Sequence, residues 1–442
     1  MQIYSTDMYR KALSCISILR NNGFKAYLAG GCVRDMLLGI EPMDYDIATD
    51  AKPDQIGKIF KEAVLTWGHL GVVILPYRKN RFEITTFRGD GEYDDARHPV
   101  NVVFTNEQED AQRRDFTING IFYDTENDKI IDYVNGQEDL KNGIIRAIGN
   151  PEDRFNEDHL RIIRAIRFAA RFGFCIEKDT YNAILKYADK IETVSNERIY
   201  MELTKILVAE NAVAAFELLF ETRILEKILK EVHALKGVRQ PPEFHPEGDV
   251  WDHTMLMLRN LGKTDKPVLA WAVLLHDIGK PATYMETDRI RFNEHSRIGS
   301  HMASDILRRF HCPNKDRETI ISLIDQHMKF MAVKEMRLST LKRFLRQDDF
   351  DLHLELHRLD CISSHSKLDN YDFTIRMIKE LAKETADLKP KLLVNGDDLI
   401  ELGFKPGPLF KDILRSIEDE QLEGNLVDRE NAIDWIKKRY LR

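Results

Sequence analysis

The sequence predicts an α+β chain, a small mixed sheet backed by helices and then helices alone. Three observations carry this. Strand-type alternation of polar and apolar residues is confined to the first 150 or so of the 442 residues. From about Asn156 apolar residues instead recur at three- and four-residue spacing. A cluster of Pro241, Pro242, Pro246, Gly237 and Gly248 then interrupts the helical part between Lys236 and Asp249.

In the first part, Met8 to Leu19 has helical periodicity with Asp7 available as N-cap. Lys25 to Ala29 is a short extended run ending at Gly30-Gly31, and Asp44-Tyr45-Asp46-Ile47 alternates like a half-buried strand. Val72 to Leu75 and Arg81 to Phe87 continue the strand pattern. Asp158 to Phe172, Asp179 to Tyr187, Ser195 to Val208 and Val213 to Leu219 read as amphipathic helices. Beyond the break, an all-helical stretch runs to about Asp387. A turn-rich segment, Asn395 to Pro408, leads into a last helix. The expected division is a head at 1–150, a helical neck at 151–235, a linker at 236–249, a second helical domain at 250–387 and a tail region at 388–442.

A chain of 442 residues, 43% apolar and 31% charged, accommodates two to four globular domains. Met1 to Leu13 lacks the apolar core of an export signal, and Leu269 to Leu275 is too short to cross a bilayer. Cys15, Cys32, Cys175, Cys312 and Cys361 have no paired spacing, which points to reduced, buried thiols in a cytoplasmic protein with no membrane partner. The net charge of −8 argues weakly against nucleic acid, but a local basic face outweighs whole-chain charge.

Asp44 and Asp46, two apart on an expected strand, direct both carboxylates to one face. Carboxylates that close repel unless a cation sits between them, and hard oxygen ligands suit Mg²⁺. Phosphoryl transfer at a two-metal site uses this arrangement, one ion activating the attacking hydroxyl and the other steadying the leaving pyrophosphate. Glu83, on an alternating run, is placed to add a third carboxylate from a neighbouring strand. Gly30 and Gly31 follow a strand and open a helix bearing Arg34, where backbone N–H groups and a guanidinium suit a triphosphate. A lone D-x-D or Gly-Gly is common in ordinary turns and edges; their succession within 17 residues is not.

The run Tyr27-Leu-Ala-Gly-Gly-Cys-Val-Arg-Asp-Met-Leu-Leu-Gly, followed by Met43-Asp-Tyr-Asp-Ile-Ala-Thr, resembles the head of class II tRNA nucleotidyltransferases and bacterial poly(A) polymerases. The likeness continues at Arg113-Arg-Asp-Phe-Thr-Ile-Asn-Gly, Asp132 to Gly149, Glu157-Asp-His-Leu-Arg and Glu197-Arg-Ile-Tyr-Met-Glu-Leu. It implies a nucleotidyltransferase-fold head, Asp44 and Asp46 as metal ligands, and an RNA-binding neck. It further implies a nucleotide-contacting motif of Arg113, Arg114 and Asp115 with Asn119, and a base-pairing motif of Glu157, Asp158 and Arg161. Pro42 stands where many relatives have Gly, leaving the carboxylate spacing intact.

Base chemistry supports that last role. An Asp accepting from an exocyclic amine and an Arg donating to a ring nitrogen satisfy both cytosine and adenine, while guanine and uracil present the reverse pattern. Asp158 and Arg161, three apart, are expected on one helix face. Arg161, Arg164, Arg167 and Arg171 form a stripe, read either as a solvated surface or, beside the other motifs, as binding nucleotide and RNA phosphate. Thr86 to Pro99 resembles the flexible loop of relatives that add the terminal A.

After the break come His253, His276-Asp277, His295, His327 and Asp360. Burying the His276-Asp277 doublet inside the apolar helix Ala270 to Lys280 is costly without partners, and imidazoles with carboxylates are good metal ligands. The order His253, His276, Asp277, Asp360, with Leu275-His-Asp-Ile-Gly-Lys-Pro, resembles the HD phosphohydrolase superfamily. This implies a divalent metal of unspecified identity, extended to a second position by His295 and His327. It also implies either phosphoesterase activity, on 2′,3′-cyclic or 3′-terminal phosphates, or an RNA-binding body without turnover.

The leading expectation is therefore a tRNA nucleotidyltransferase using CTP and ATP with Mg²⁺. The motifs leave full CCA addition, addition of the A alone and poly(A) synthesis open, and an HD phosphohydrolase with an RNA-binding head is the rival from another class. The acidic-to-neutral end from Ser416 to Asp428 favours tRNA over poly(A) synthesis. The sequence does not bear on oligomeric state.

Overall fold

Six short strands build the sheet of the head in the computed structural model, which describes residues 6–66, 71–78, 80–89, 103–384 and 391–441. The strands are β1 (Ala26–Ala29), β2 (Asp46–Thr49), β3 (Val72–Tyr77), β4 (Asn80–Thr86), β7 (Ile121–Asp124) and β8 (Lys129–Asp132); a separate two-residue ladder, β5 (Arg88–Gly89) with β6 (Val103–Phe104), lies between them in sequence. The spatial order is β3-β4-β2-β1-β7-β8. Only β2 and β4 pair in parallel, which makes the sheet mixed, as expected.

Strand alternation gives the sheet two unlike faces. Leu28, Ile47, Val73, Leu75, Phe82 and Ile84 point to the larger core, which is closed by Tyr9, Ala12, Cys15, Ile16 and Leu19 of α1 (Asp7–Asn21) and by residues of α2 (Gly31–Leu37) and α3 (Pro53–Ile59). Thr6, not Asp7, caps α1 by accepting from the Tyr9 amide; Asp7 sits in the first turn, where its charge suits the helix dipole. The opposite face carries a smaller cluster, Tyr27, Ala29, Ala48, Phe87, Ala111 and Phe122. On that face the small side chains of Ala29, the partner of Asp46 in the β1–β2 ladder, and Ala48 adjoin Asp46.

The remaining head and neck elements are α4 (Glu107–Gln112), α5 (Gly136–Asn142), α6 (Pro151–Glu157), α7 (Leu160–Phe172), α8 (Lys178–Tyr187), α9 (Asn196–Leu207), α10 (Ala212–Glu221), α11 (Ile224–Ile228) and α12 (Lys230–His233). The helical part is not free of strands: β9 (Ile144–Ile145) and β10 (Cys175–Ile176) pair in parallel. Cys175 is exposed, so the expectation of uniformly buried thiols holds only for the other four.

Contacts divide the chain into two units, Met1–His233 and Ala234–Arg442. In the second, α13 (Val250–Leu261), α17 (Asn314–Gln326) and α19 (Phe350–Ile362) pack against α14 (Pro267–Leu275), whose residues Leu269 to Leu275 are all buried. α15 (Lys280–Thr283) and α16 (His295–Arg309) adjoin them, and α18 (Leu338–Leu345) and α20 (Asp369–Glu384) border a separate core with Phe330 and Phe350. A hairpin, β11 (Tyr284–Glu286) with β12 (Ile290–Phe292), interrupts the expected all-helical stretch. The turn-rich segment contains a helix, α21 (Gly396–Glu401), and two helices follow rather than one, α22 (Pro408–Leu422) and α23 (Arg429–Tyr440), around a core of their own. Among the described residues no helix is long and apolar enough to cross a membrane.

Candidate functional site

In the head, β2 begins at Asp46, and Asp44 stands in the bend before it rather than on the strand. Tyr45 between them is buried against Tyr9 with ring centroids 5.5 Å apart, which anchors the bend, and the charge of Asp44 still acts on Asp46. Ile47 pairs with Ile84 in the parallel β2–β4 ladder, so Asp46 lies beside Glu83 one step earlier and both leave the larger core on the opposite face. Burial, with the nearby charges of Asp44 and Glu83, raises the Asp46 carboxyl from 3.8 to about 7; Arg114 and Arg34 oppose the shift. The charges of Asp44 and Glu83 thus act on Asp46, and a divalent cation is the partner that offsets the cost of ionising it there.

Gly30 precedes α2 at φ +69°, and a Cβ there would lie 2.7 Å from Arg114 Nη1. The turn therefore needs glycine both for its dihedral and for the approach of that guanidinium. Arg34 is buried: it donates to Asp35 Oδ1 and, at 2.6 Å, to Asn119 Oδ1, and it lies over Phe168 and Phe172. It braces the turn between Gly31 and Asn119 rather than standing open to a phosphate.

The residues 113–115 are held by acids that the sequence reading passed over. Asp110, fully buried on α4, accepts from Arg113 and Arg114 at 2.7 and 2.9 Å. Arg114 also donates to the Asn119 carbonyl and lies over Phe122 on the sheet face opposite the larger core. Asp115 accepts from Asn119 and from Arg164; burial opposes its charge, but Arg164 and these hydrogen bonds hold its carboxyl down at about 2.

Asp158 and Arg161 do not share a helix. Asp158 falls in the break between α6 and α7, with φ −155°, where its carboxylate accepts from the Leu160 amide and from Arg198 at 2.6 Å. Arg161 sits in the first turn of α7, donating to Glu157 and to the Arg154 and Arg113 carbonyls. The arginine stripe is likewise no bare cationic surface. Arg164 pairs with Asp115, Arg167 with Glu202 and Arg171 with Asp35. Phe168 and Phe172, interleaved in the same helix, lie under the guanidiniums of Arg167 and Arg171. Of the Thr86 to Pro99 loop, residues 90–99 lie outside the described residues.

In the second unit the expected ligands come together. His253, His276 and Asp277 offer atoms within 4.8 Å of one another, as do Asp277, His295 and His327. His276 Nε2 lies 3.0 Å from Asp277 Oδ2, and His253 Nε2 lies 3.2 Å from Asp360 Oδ1. Yet His253 Nε2 and His276 Nε2 make no hydrogen bond of acceptable geometry, while Asp277 Oδ2 ion-pairs with Lys280 at 2.7 Å. Buried polar atoms that approach without bonding are aimed at a common point, as ligands of one ion are. The rings are set for this: Nδ1 of His276, His295 and His327 meets the carbonyls of Val273, Phe292 and Ile324, which leaves each Nε2 facing inward.

Gly279 explains how His295 reaches the cluster. A Cβ there would lie 2.1 Å from the His295 carbonyl, so only glycine lets the turn after the His-Asp doublet press against the start of α16. Lys280, buried, bridges Asp277 at 2.7 Å and Gln240 at 2.6 Å. His245 and Glu247, which the sequence reading did not select, group with His253.

Residues 26–146 match the poly A polymerase head domain, 173–236 the probable RNA- and SrmB-binding site of polymerase A, and 249–352 the HD domain. The CCA-adding enzyme of Ligilactobacillus salivarius is 32% identical over 98% of this chain and 97% of its own length. The chain belongs to the CCA-adding enzyme family. The CCA-adding enzyme of Staphylococcus saprophyticus is 31% identical over 98% of this chain and all of its own. The crystal structure of the Bacillus stearothermophilus CCA-adding enzyme in complex with CTP superposes with a TM-score of 0.72 at 28% identity, covering 98% of both chains. A Thermotoga maritima CCA-adding enzyme complexed with tRNA shares the fold at 20% identity and a TM-score of 0.55.

Proposed function

We propose that this chain builds or repairs the 3′-terminal CCA of tRNA from CTP and ATP. The observation that carries the chemistry is the placement of Asp46 beside Asp44 and Glu83 on the sheet face opposite the larger core, where burial first and those two charges next raise its carboxyl to about 7. Full-length likeness to CCA-adding enzymes favours this product over poly(A). Asp44 and Asp46, with Glu83 beside them, would hold Mg²⁺, which would supply Lewis-acid activation of the 3′-hydroxyl and charge neutralisation of the triphosphate. The tRNA 3′-oxygen bonds to the α-phosphorus, the bond from that phosphorus to the bridging oxygen breaks, pyrophosphate leaves and the hydroxyl proton passes to solvent.

The chain's own residues bind and select. Gly30, Gly31 and Arg34 shape the turn for the triphosphate, and Arg113, Arg114, Asp115 and Asn119 hold the nucleotide. Arg198 anchors the Asp158 carboxylate, an acceptor suited to the exocyclic amine of cytosine or adenine and repelled by the carbonyl of guanine or uracil. Arg161, with Glu157 fixing it, donates to the ring nitrogen. Arg164 and Arg167 support that motif from behind. Incorporation of each labelled nucleotide into tRNA ending at the discriminator base tests this: CTP and ATP are used, GTP and UTP are not, and indiscriminate uptake contradicts the reading.

A second reading is favoured by the buried, unbonded His253 Nε2 and His276 Nε2 beside Asp277. With Asp360, they fit a divalent cation, and a second position adjoins at His295 and His327. Such a centre supports hydrolysis of 2′,3′-cyclic or 3′-terminal phosphates, which clears the hydroxyl that the head requires. Release of phosphate from 3′-phosphorylated RNA, or opening of the cyclic ester, measures it. We further propose a cytoplasmic location.

A further inference from the structure

The segment from Lys236 to Asp249 has no role in either activity above and reads in the sequence as a linker. In the structure it is a closed loop. Gly237 N donates to Asp249 Oδ2 at 2.6 Å, Val250 N donates to the Val238 carbonyl at 3.0 Å, and Lys236 pairs with Asp252. Its ends are thus pinned to the first turn of α13, the helix that carries His253.

Three of its side chains meet the metal-ligand cluster. Gln240 accepts from Lys280, the lysine that also holds Asp277. Glu247 Oε1 lies 2.6 Å from His253 Nδ1 and 2.9 Å from His245 Nδ1. At these separations Glu247 Oε1 is hydrogen-bonded to both rings. A carboxylate only accepts, so Nδ1 of both rings carries a proton, and the His253 ring is turned with Nε2 toward Asp360 at 3.2 Å. His276, His295 and His327 are each set by a main-chain carbonyl three residues earlier; His253 is set by a charged side chain from outside its helix.

We infer that Glu247 is the positioning residue for His253: it fixes the ring's tautomer and direction and strengthens it as a metal donor, while His245 steadies Glu247. The inference rests on the metal-site reading of the second unit. Mn²⁺ titration by calorimetry and Co²⁺ absorption, both on metal-stripped full-length protein, test it, with Asp44→Ala and Asp46→Ala as the common background so that only the second unit is read. Glu247→Ala weakens Mn²⁺ binding about ten- to a hundredfold and shifts the Co²⁺ bands, while the metal-free melting temperature stays that of the background. Glu247→Gln, which keeps an acceptor of the same shape, falls between, and it carries the test if Glu247→Ala does not fold. Equal Mn²⁺ affinity and an unchanged Co²⁺ spectrum in Glu247→Ala or Glu247→Gln overturn the role of Glu247. A background protein that binds neither ion, matching its His253→Ala derivative, overturns the metal-site reading itself.

Discussion

Arg164 on α7 grips Asp115 at one oxygen, its Nε and Nη2 lying 2.9 and 2.6 Å from Oδ2. The contact ties the neck helix to the turn after Arg113 and Arg114, across 49 residues of sequence. Arg164→Ala leaves Asp115 buried with only Asn119 and a backbone amide as partners. It costs on the order of 1.5–3 kcal/mol, read as a lower denaturant midpoint, and raises the KM for CTP. Arg164→Lys recovers little, because an ammonium does not reproduce the planar fork.

Asp46 gives a pH signature. Its folded-state carboxyl is raised above the ordinary 3.8 to about 7, by burial first and then by Asp44 and Glu83. A raised folded value contributes most below the unfolded value and loses that contribution as pH climbs through the folded one. Metal-free protein therefore loses stability between about pH 4 and 7 relative to Asp46→Asn, and Mg²⁺ restores it. Melting curves of both proteins in EDTA and in Mg²⁺ check this. Asp46→Asn lowers nucleotide addition at least about a hundredfold, since metal binding supplies several kcal/mol at about 1.4 kcal/mol per decade.

Gly30→Ala strains the backbone at φ +69° and displaces Arg114, whose Nη1 occupies the space a Cβ needs. The backbone term alone is about 1–2 kcal/mol. A raised KM for both CTP and ATP, measured on the same tRNA, is the expected result, because the displaced guanidinium serves either nucleotide.

Gly279→Ala drives the His295 carbonyl away from the turn that bears His276 and Asp277. The second metal position, which needs His295 and His327 beside Asp277, is lost before the first. Calorimetry in the Asp44→Ala, Asp46→Ala background then shows the loss of one bound Mn²⁺ per chain relative to that background.

The carboxylate pair, the glycine turn and the His-Asp doublet were legible in the sequence because their geometry is local, spanning only a few residues. The arginine stripe was legible as a stripe but not as a set of ion pairs. Its counter-charges arrive from distant segments, Asp35 reaching Arg171 across 136 residues. Asp158 was misplaced onto a helix because spacing of three suits a helix equally well inside it or just before it. The loop holding Glu247 was read as a linker because prolines and glycines mark irregular backbone, whether or not its side chains are buried.

The most direct measurement is 3′-end sequencing of tRNA ending at the discriminator base and of tRNA ending in C-C, each incubated with CTP, ATP and Mg²⁺. The account predicts C-C-A on the first and A on the second, with both lost in the Asp44→Ala, Asp46→Ala protein. Addition of A to the second substrate alone, long A tails on unrelated RNA, or no extension by the intact chain would contradict it.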